Sequence, residues 1–156
     1  MSGHGAPTIN LSGAEGLKVT IVAGMWHQPI AEALVAGATR VLEASGAQIT
    51  LVRVPGSFEL PVVSQVALQN GADAVVALGV IIRGGTPHFE YVSSAATTGL
   101  TTVALETGKP VGFGVLTLDD EAQGLDRAGL PGSSEDKGAE AAEAALQTAL
   151  VLKGLR

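Results

Sequence analysis

The chain of 156 residues contains no cysteine, which removes disulfides, thiolate zinc sites and cysteine nucleophiles together. Aromatic residues make up only 3% of it and charged residues only 15%. So little charge on a small chain suggests that a partner subunit covers part of its surface. Basic residues are few: nine Lys and Arg are scattered from Lys18 to Arg156 without forming a stripe. They face fifteen acids, for a formal net charge of −6, and no nucleic-acid partner is expected. No apolar run is long enough to span a bilayer, because Gly, Asn or a charge interrupts each one, so no membrane partner is expected either. Met1–Gly16 lacks the basic start and apolar middle of a secretory signal, which makes the cytoplasm the default location. His4, His27 and His88 are spread along the chain without clustered carboxylates, and no metal site is expected.

What is present is aliphatic bulk. Hydrophobic residues make up 46% of the chain, mostly Ala, Val and Leu beside much Gly, which suits buried parallel strands between close-packed helices. Residues 1–16 are Gly-rich and polar and read as a flexible tail, in which Thr8–Leu11 could add a short edge strand. Residues 17–156 read as a single domain. Lys18–Ala23, Gln48–Val54, Ala74–Ile82 and Pro110–Thr117 are predicted strands, apolar enough to be covered on both faces. A helix opens at Pro29, repeats Ile30, Leu34, Ala38 and Leu42, and stops at Gly46. A shorter one runs from Pro61 to Asn70-Gly71. Phe89, Val92, Ala96, Leu100 and Val103 mark one face of a third, closed by Gly108. The last is expected from about Ser134 to Leu152, with a capping-box spacing from Ser133 to Asp136. Strand and helix alternate with short links, which predicts an α/β fold. It is a flavodoxin-like three-layer α/β/α sandwich around a four-stranded parallel sheet.

Ligands of such sheets bind beyond the carboxyl ends of the strands. That rule selects Gly24–Gln28, Pro55–Glu59, Arg83–His88 and Leu118–Asp120. In the third segment a buried strand runs out through Gly84, Gly85, Thr86 and Pro87 into a helix. The two glycines let an anion approach the backbone, Thr86 offers a hydroxyl, and the helix start offers N–H groups and a positive dipole end. A plain tight turn capped by Thr86 explains the same residues. His88 stands at the mouth of the turn, as a proton donor and acceptor or as a helix-start histidine bonded to its own turn. Trp26, Phe58 and Phe113 suit a flat heterocycle or ordinary core packing, with packing favoured for Phe113. Glu59 could accept hydrogen bonds from sugar-like hydroxyls. Arg127 and Lys137 each read alone as solvated charges, and Asp119-Asp120-Glu121 as the acidic first turn of a helix.

From about Gly16 to Leu155 the chain resembles the lumazine synthase (6,7-dimethyl-8-ribityllumazine synthase) family. The resemblance rests on five blocks in order: Val54–Pro61 (VPGSFELP), Ala77–Val92 (ALGVIIRGGTPHFEYV), Gly112–Thr117 (GFGVLT), Asp126–Gly129 (DRAG) and Asp136–Gly138 (DKG). It implies a cofactor-free transferase that condenses 5-amino-6-(D-ribitylamino)uracil with 3,4-dihydroxy-2-butanone 4-phosphate in riboflavin biosynthesis. It further implies that Trp26, a place often held by Phe, stacks on the pyrimidine and that Ser57, Phe58 and Glu59 line the ribityl site. The backbone of Val80, Ile81 and Ile82 would read the pyrimidine edge. Gly85, Thr86 and Arg127 would hold the phosphate, and His88 would move protons. Phe113 and Arg127, with Lys137 close by, would come from the neighbouring subunit of a homopentamer with its sites between subunits. Shell-forming members carry a short Gly- and Lys-containing turn between the last two helices. Here Gly129–Gly138 is longer and contains Pro131, which favours a free pentamer. Two rivals are a catalytically silent relative that binds flavin or forms a scaffold, against which the complete set of site residues argues, and a monomeric flavodoxin-like flavin module.

Overall fold

The computed structural model describes residues 4–156. Four parallel strands, β1 (Lys18–Gly24), β2 (Gln48–Val54), β3 (Ala74–Ile82) and β4 (Val111–Leu118), form one sheet in the order β2-β1-β3-β4. Helices α1 (Gln28–Ala44), α2 (Leu60–Gln69), α3 (His88–Thr107), α4 (Glu121–Asp126) and α5 (Lys137–Leu155) complete the chain. This is the three-layer sandwich that the alternating pattern predicts. Ile21, Leu34, Leu42, Leu78 and Leu146 lie in one core beneath α1 and α5. Val22, Leu60, Leu68, Leu100 and Val115 lie in the other, beneath α2 and α3.

The central strands are covered on both faces: every residue of β3 up to Ile81 is buried. The edge strands depart from that expectation. β2 leaves Gln48, Thr50 and Leu51 exposed and β4 leaves Phe113 and Thr117 exposed, because an edge strand has a neighbour on one side only. Within the described residues Thr8–Leu11 forms no strand. Leu11 packs against the α1–α5 core instead, and Ala14 is fully buried within it. Gly16 N–H donates to the Gly46 carbonyl at 2.9 Å, so packed chain begins nearer Leu11 than residue 17. The first three residues of the expected 1–16 tail lie outside the described residues.

Gly46 stops α1 in the left-handed conformation, φ +74°, and Gly108 closes α3 at φ +65°. The start of α5 differs from expectation. Its cap is Asp136, whose carboxylate accepts from Ala139 N–H at 3.1 Å. Ser133 is engaged elsewhere, its hydroxyl donating to the Leu125 carbonyl and accepting from Leu130 N–H. Asp120 caps α4 by accepting from Gln123 N–H at 2.9 Å. Among the described residues no helix is long and apolar enough to cross a membrane.

Candidate active site

At the carboxyl ends of β1, β2 and β3 the chain opens into a cleft of about 640 Å³. Trp26, Ser57, Phe58, Glu59, Val80, Ile81, Ile82, Thr86 and His88 all line it, so residues from three strand ends meet in one place. Gly85 lies in the turn between the lining residues Gly84 and Thr86. Two residues past the end of β1 comes Trp26, whose ring lies across Gly56; a Cβ there would come within 3.1 Å of its Cδ1. Trp26 and Phe58 are each 64% exposed, which leaves large apolar faces open to a ligand.

Beyond β2 a short 3₁₀ turn, Ser57–Glu59, brings two polar side chains to the cleft wall. Ser57 is buried, with its hydroxyl in the space that a side chain at Gly79 of β3 would fill. Glu59 Oε2 accepts from Gly56 N–H at 2.9 Å, which fixes the carboxylate. A carboxylate offers about four acceptor positions, so one such bond leaves capacity for ligand hydroxyls.

Past β3, Gly84 and Gly85 are exposed, and a Cβ on either would meet no atom within 4 Å. Neither takes a positive φ. Backbone conformation and internal packing thus give no reason for two glycines here. Thr86 Oγ1 accepts a long bond, 3.4 Å, from His88 N–H, and the His88 side chain is exposed at the first position of α3. Arg83 holds the turn from both sides. It pairs with Glu90 of α3 and with Asp119 after β4 at 3.2 Å, and its guanidinium lies 4.2 Å from the centre of the Phe89 ring. The hydrogen bond from Arg83 holds the Glu90 carboxyl below its ordinary range, and the same pairing raises Arg83. Leu118–Asp120, the fourth segment selected from the sequence, therefore clamps Arg83 and does not line the cleft.

Three expected site residues lie away from this cleft. Phe113 stands mid-strand on β4, in register with Ala77, and is 47% exposed. Arg127 and Lys137 bracket the loop between α4 and α5, in the layer opposite α3. Both approach the carboxylate of Glu135, Arg127 Nε at 3.8 Å and Lys137 Nζ at 3.6 Å. Neither is therefore the isolated solvated charge that its sequence position suggests.

The cleft also contains residues outside the expected set of site residues, although His27 falls within the selected Gly24–Gln28 segment. His27 lines it beside Trp26, with ring centroids 6.3 Å apart, and is the one non-glycine with positive φ (+55°) among the described residues. Such a conformation costs about 1–3 kcal/mol and is maintained only by its surroundings; here the His27 carbonyl accepts from both Ile30 and Ala31 N–H. Tyr91 and Val92 follow His88 at helical spacings of three and four, which put them on its face of α3. That spacing was the signal available for them.

The sequence model of a family described as 6,7-dimethyl-8-ribityllumazine synthase matches residues 16–153. The chain is 73% identical over 157 residues to the 6,7-dimethyl-8-ribityllumazine synthase of Leifsonia xyli subsp. xyli (strain CTCB07), covering 100% of this chain and 99% of that protein. It is 70% identical to the protein of the same name from Clavibacter michiganensis subsp. michiganensis (strain NCPPB 382), with 100% and 99% covered. With that from Kineococcus radiotolerans (strain ATCC BAA-149 / DSM 14245 / SRS30216) it shares 61% identity, over 99% of this chain and 96% of that protein.

Proposed function

The chain belongs to the 6,7-dimethyl-8-ribityllumazine synthase family of riboflavin biosynthesis, and from that premise we propose how its cleft performs the reaction. The substrates are 5-amino-6-(D-ribitylamino)uracil and 3,4-dihydroxy-2-butanone 4-phosphate, and the protein acts as a cytoplasmic transferase. The observation that carries the reading is the turn after β3. Two exposed glycines, needed neither for φ nor for packing, stand between a buried strand and a helix start, beside Thr86 and His88. Room for an anion against the backbone accounts for them, and a helix start attracts that charge.

In this reading the pyrimidine stacks on Trp26 while the backbone of Val80, Ile81 and Ile82 reads its edge. The ribityl chain runs past Ser57 and Phe58 to the free acceptor capacity of Glu59. The phosphate of the second substrate lies on Gly85 and Thr86, and His88, one turn residue away, takes and returns protons. The uracil's own amine attacks the butanone carbonyl, so the chain need supply no nucleophile. Phosphate and water leave. Holding two reactants in attack geometry is worth up to about 7–11 kcal/mol. A proton shuttle contributes about 10²–10⁴-fold. Positioning therefore dominates, which suits a rigid sheet edge carrying few ionisable groups.

Arg127, Lys137 and Phe113 lie outside the cleft of their own chain, which supports a site completed by a second copy. We take that assembly to be a homopentamer, and the long Gly129–Gly138 segment with Pro131 favours a free pentamer over a shell. The test is turnover of the two substrates, followed at the lumazine absorbance. Product is expected with wild-type protein, and a rate lower by roughly 10–10³-fold with His88→Ala at unchanged substrate binding. No product from wild-type protein, with flavin bound instead, would replace this reading by the silent relative.

A further inference from the structure

Arg127 and Lys137 share a counter-ion. Oε2 of Glu135 lies 3.8 Å from Arg127 Nε and 3.6 Å from Lys137 Nζ, and its side chain is only 13% exposed. The main chain brings the three together. Gly129 N–H donates to the Glu135 carbonyl (2.9 Å), Glu135 N–H to that of Asp126 (3.1 Å) and Lys137 N–H to that of Arg127 (2.9 Å). Residues 126–129 and 135–137 thus run as the two sides of a short antiparallel turn, with Ala128 bridged to Asp136. Asp136 fastens the turn to the helix layer, accepting from Arg40 of α1 and from Ala139 N–H of α5. Asp126 fastens it internally, accepting from Ser134 N–H at 3.0 Å and from the Ser134 hydroxyl at 2.6 Å. The position of Glu135 is therefore set by backbone and not by the ion pairs it makes.

Both Glu135 distances exceed the roughly 2.7–2.9 Å of a charge-assisted hydrogen bond. The contact is Coulombic and weakly directional. Each cation takes its orientation elsewhere: Arg127 Nη1 donates to the Gln123 carbonyl at 3.0 Å, and Lys137 Nζ to Glu140 Oε2 at 2.8 Å. Glu135 thus brings its charge within 4 Å of both cations. Glu135 stands near both cations, Glu140 pairs with Lys137 and the Asp126 carboxylate acts on Arg127, so acidic groups offset the positive charge that an arriving phosphate meets. Because Glu135 is nearly buried, salt screens its effect less than it would on an open surface.

We propose that Glu135 is a built-in competitor for the phosphate. It occupies the place of an anion between Arg127 and Lys137, and so weakens their hold on phosphate enough for the inorganic phosphate product to leave. The proposal rests on the reading of Arg127 as a phosphate ligand with Lys137 close by. Glu135 is a tuning residue that acts through these cations and touches neither substrate. A purely structural role predicts that replacing it weakens binding; a competitor role predicts that binding tightens.

The experiment measures inhibition of the assembled enzyme by inorganic phosphate, with KM for each substrate, in wild type, Glu135→Gln, Glu135→Asp and Arg127→Ala. Glu135→Gln is expected to tighten inorganic phosphate about tenfold and to lower KM for the butanone phosphate similarly. KM for the uracil should not move, and Glu135→Asp should stay within about twofold of wild type on every count. Glu135→Ala gives the same readout if the glutamine variant does not assemble. Phosphate inhibition unchanged or weakened in the charge-removing variants, with a large loss in Arg127→Ala, overturns the proposal and leaves the phosphate reading intact. Tightening in Glu135→Asp equal to that in Glu135→Gln overturns it too, because charge would then not be the cause. Unchanged phosphate inhibition in Arg127→Ala overturns the phosphate reading itself.

Discussion

At the scale of single residues, Arg83 ties the end of β3 to the start of α3 and to the segment after β4. It thereby fixes the span that carries Gly85, Thr86 and His88. The pairing with Glu90 has a pH signature. Folding holds the Glu90 carboxyl below its ordinary value, mainly through the hydrogen bond from Arg83. A depressed carboxyl pKa contributes stability that is fully present above the unfolded value, about 4.3, and is lost as pH falls through the folded value. Both side chains are about half exposed, so the effect is small. Glu90→Gln should lower the urea midpoint slightly at neutral pH, and the difference from wild type should close as the pH is taken below about 4. A difference that grew on acidification would contradict this pairing.

At the scale of elements, the α5 layer approaches the sheet and α1 through glycine. A Cβ at Gly112 of β4 would lie 2.2 Å from the carbonyl oxygen of Ala141, and one at Gly138 would lie 2.1 Å from that of Leu34. These obstacles are backbone atoms and cannot rotate away. Gly112→Ala should destabilise the fold by about 1–3 kcal/mol or more, read from the denaturant midpoint at unchanged slope. An unaltered midpoint would mean that α5 is free to move off the sheet. The strands were legible in the sequence where burial is two-sided: β3 carries no polar side chain over nine residues, and only a central strand asks for that. The start of α5 was less legible, because Ser133, Ser134 and Asp136 are all competent caps and the tertiary turn decides among them. Within the site, Trp26, Phe58, Glu59, Thr86 and His88 follow from the rule of strand carboxyl ends. Phe113, Arg127 and Lys137 obey no such rule. They lie on other elements of the chain, and only the resemblance connects them with the site.

At the scale of the whole molecule, both flanks of the chain leave apolar side chains uncovered. Leu51, Val62 and Val66 are exposed on the β2–α2 side, and Phe113 on β4 at the other edge of the sheet. A chain with few charges and apolar surface on both flanks is suited to closing a ring with copies of itself, each flank covered by a neighbour. In the proposed pentamer every site takes His88 from one chain and Arg127 from the next. The most direct measurement is the specific activity of co-expressed His88→Ala and Arg127→Ala chains, with mass spectrometry establishing mixed composition. Each variant alone spoils every site in its own assembly. In mixed assemblies some interfaces pair an intact His88 with an intact Arg127, while others receive both defects. Activity well above that of either parent, though below wild type, is the predicted result. Mixed assemblies no more active than the better parent would contradict it, and the sites would then be complete within single chains.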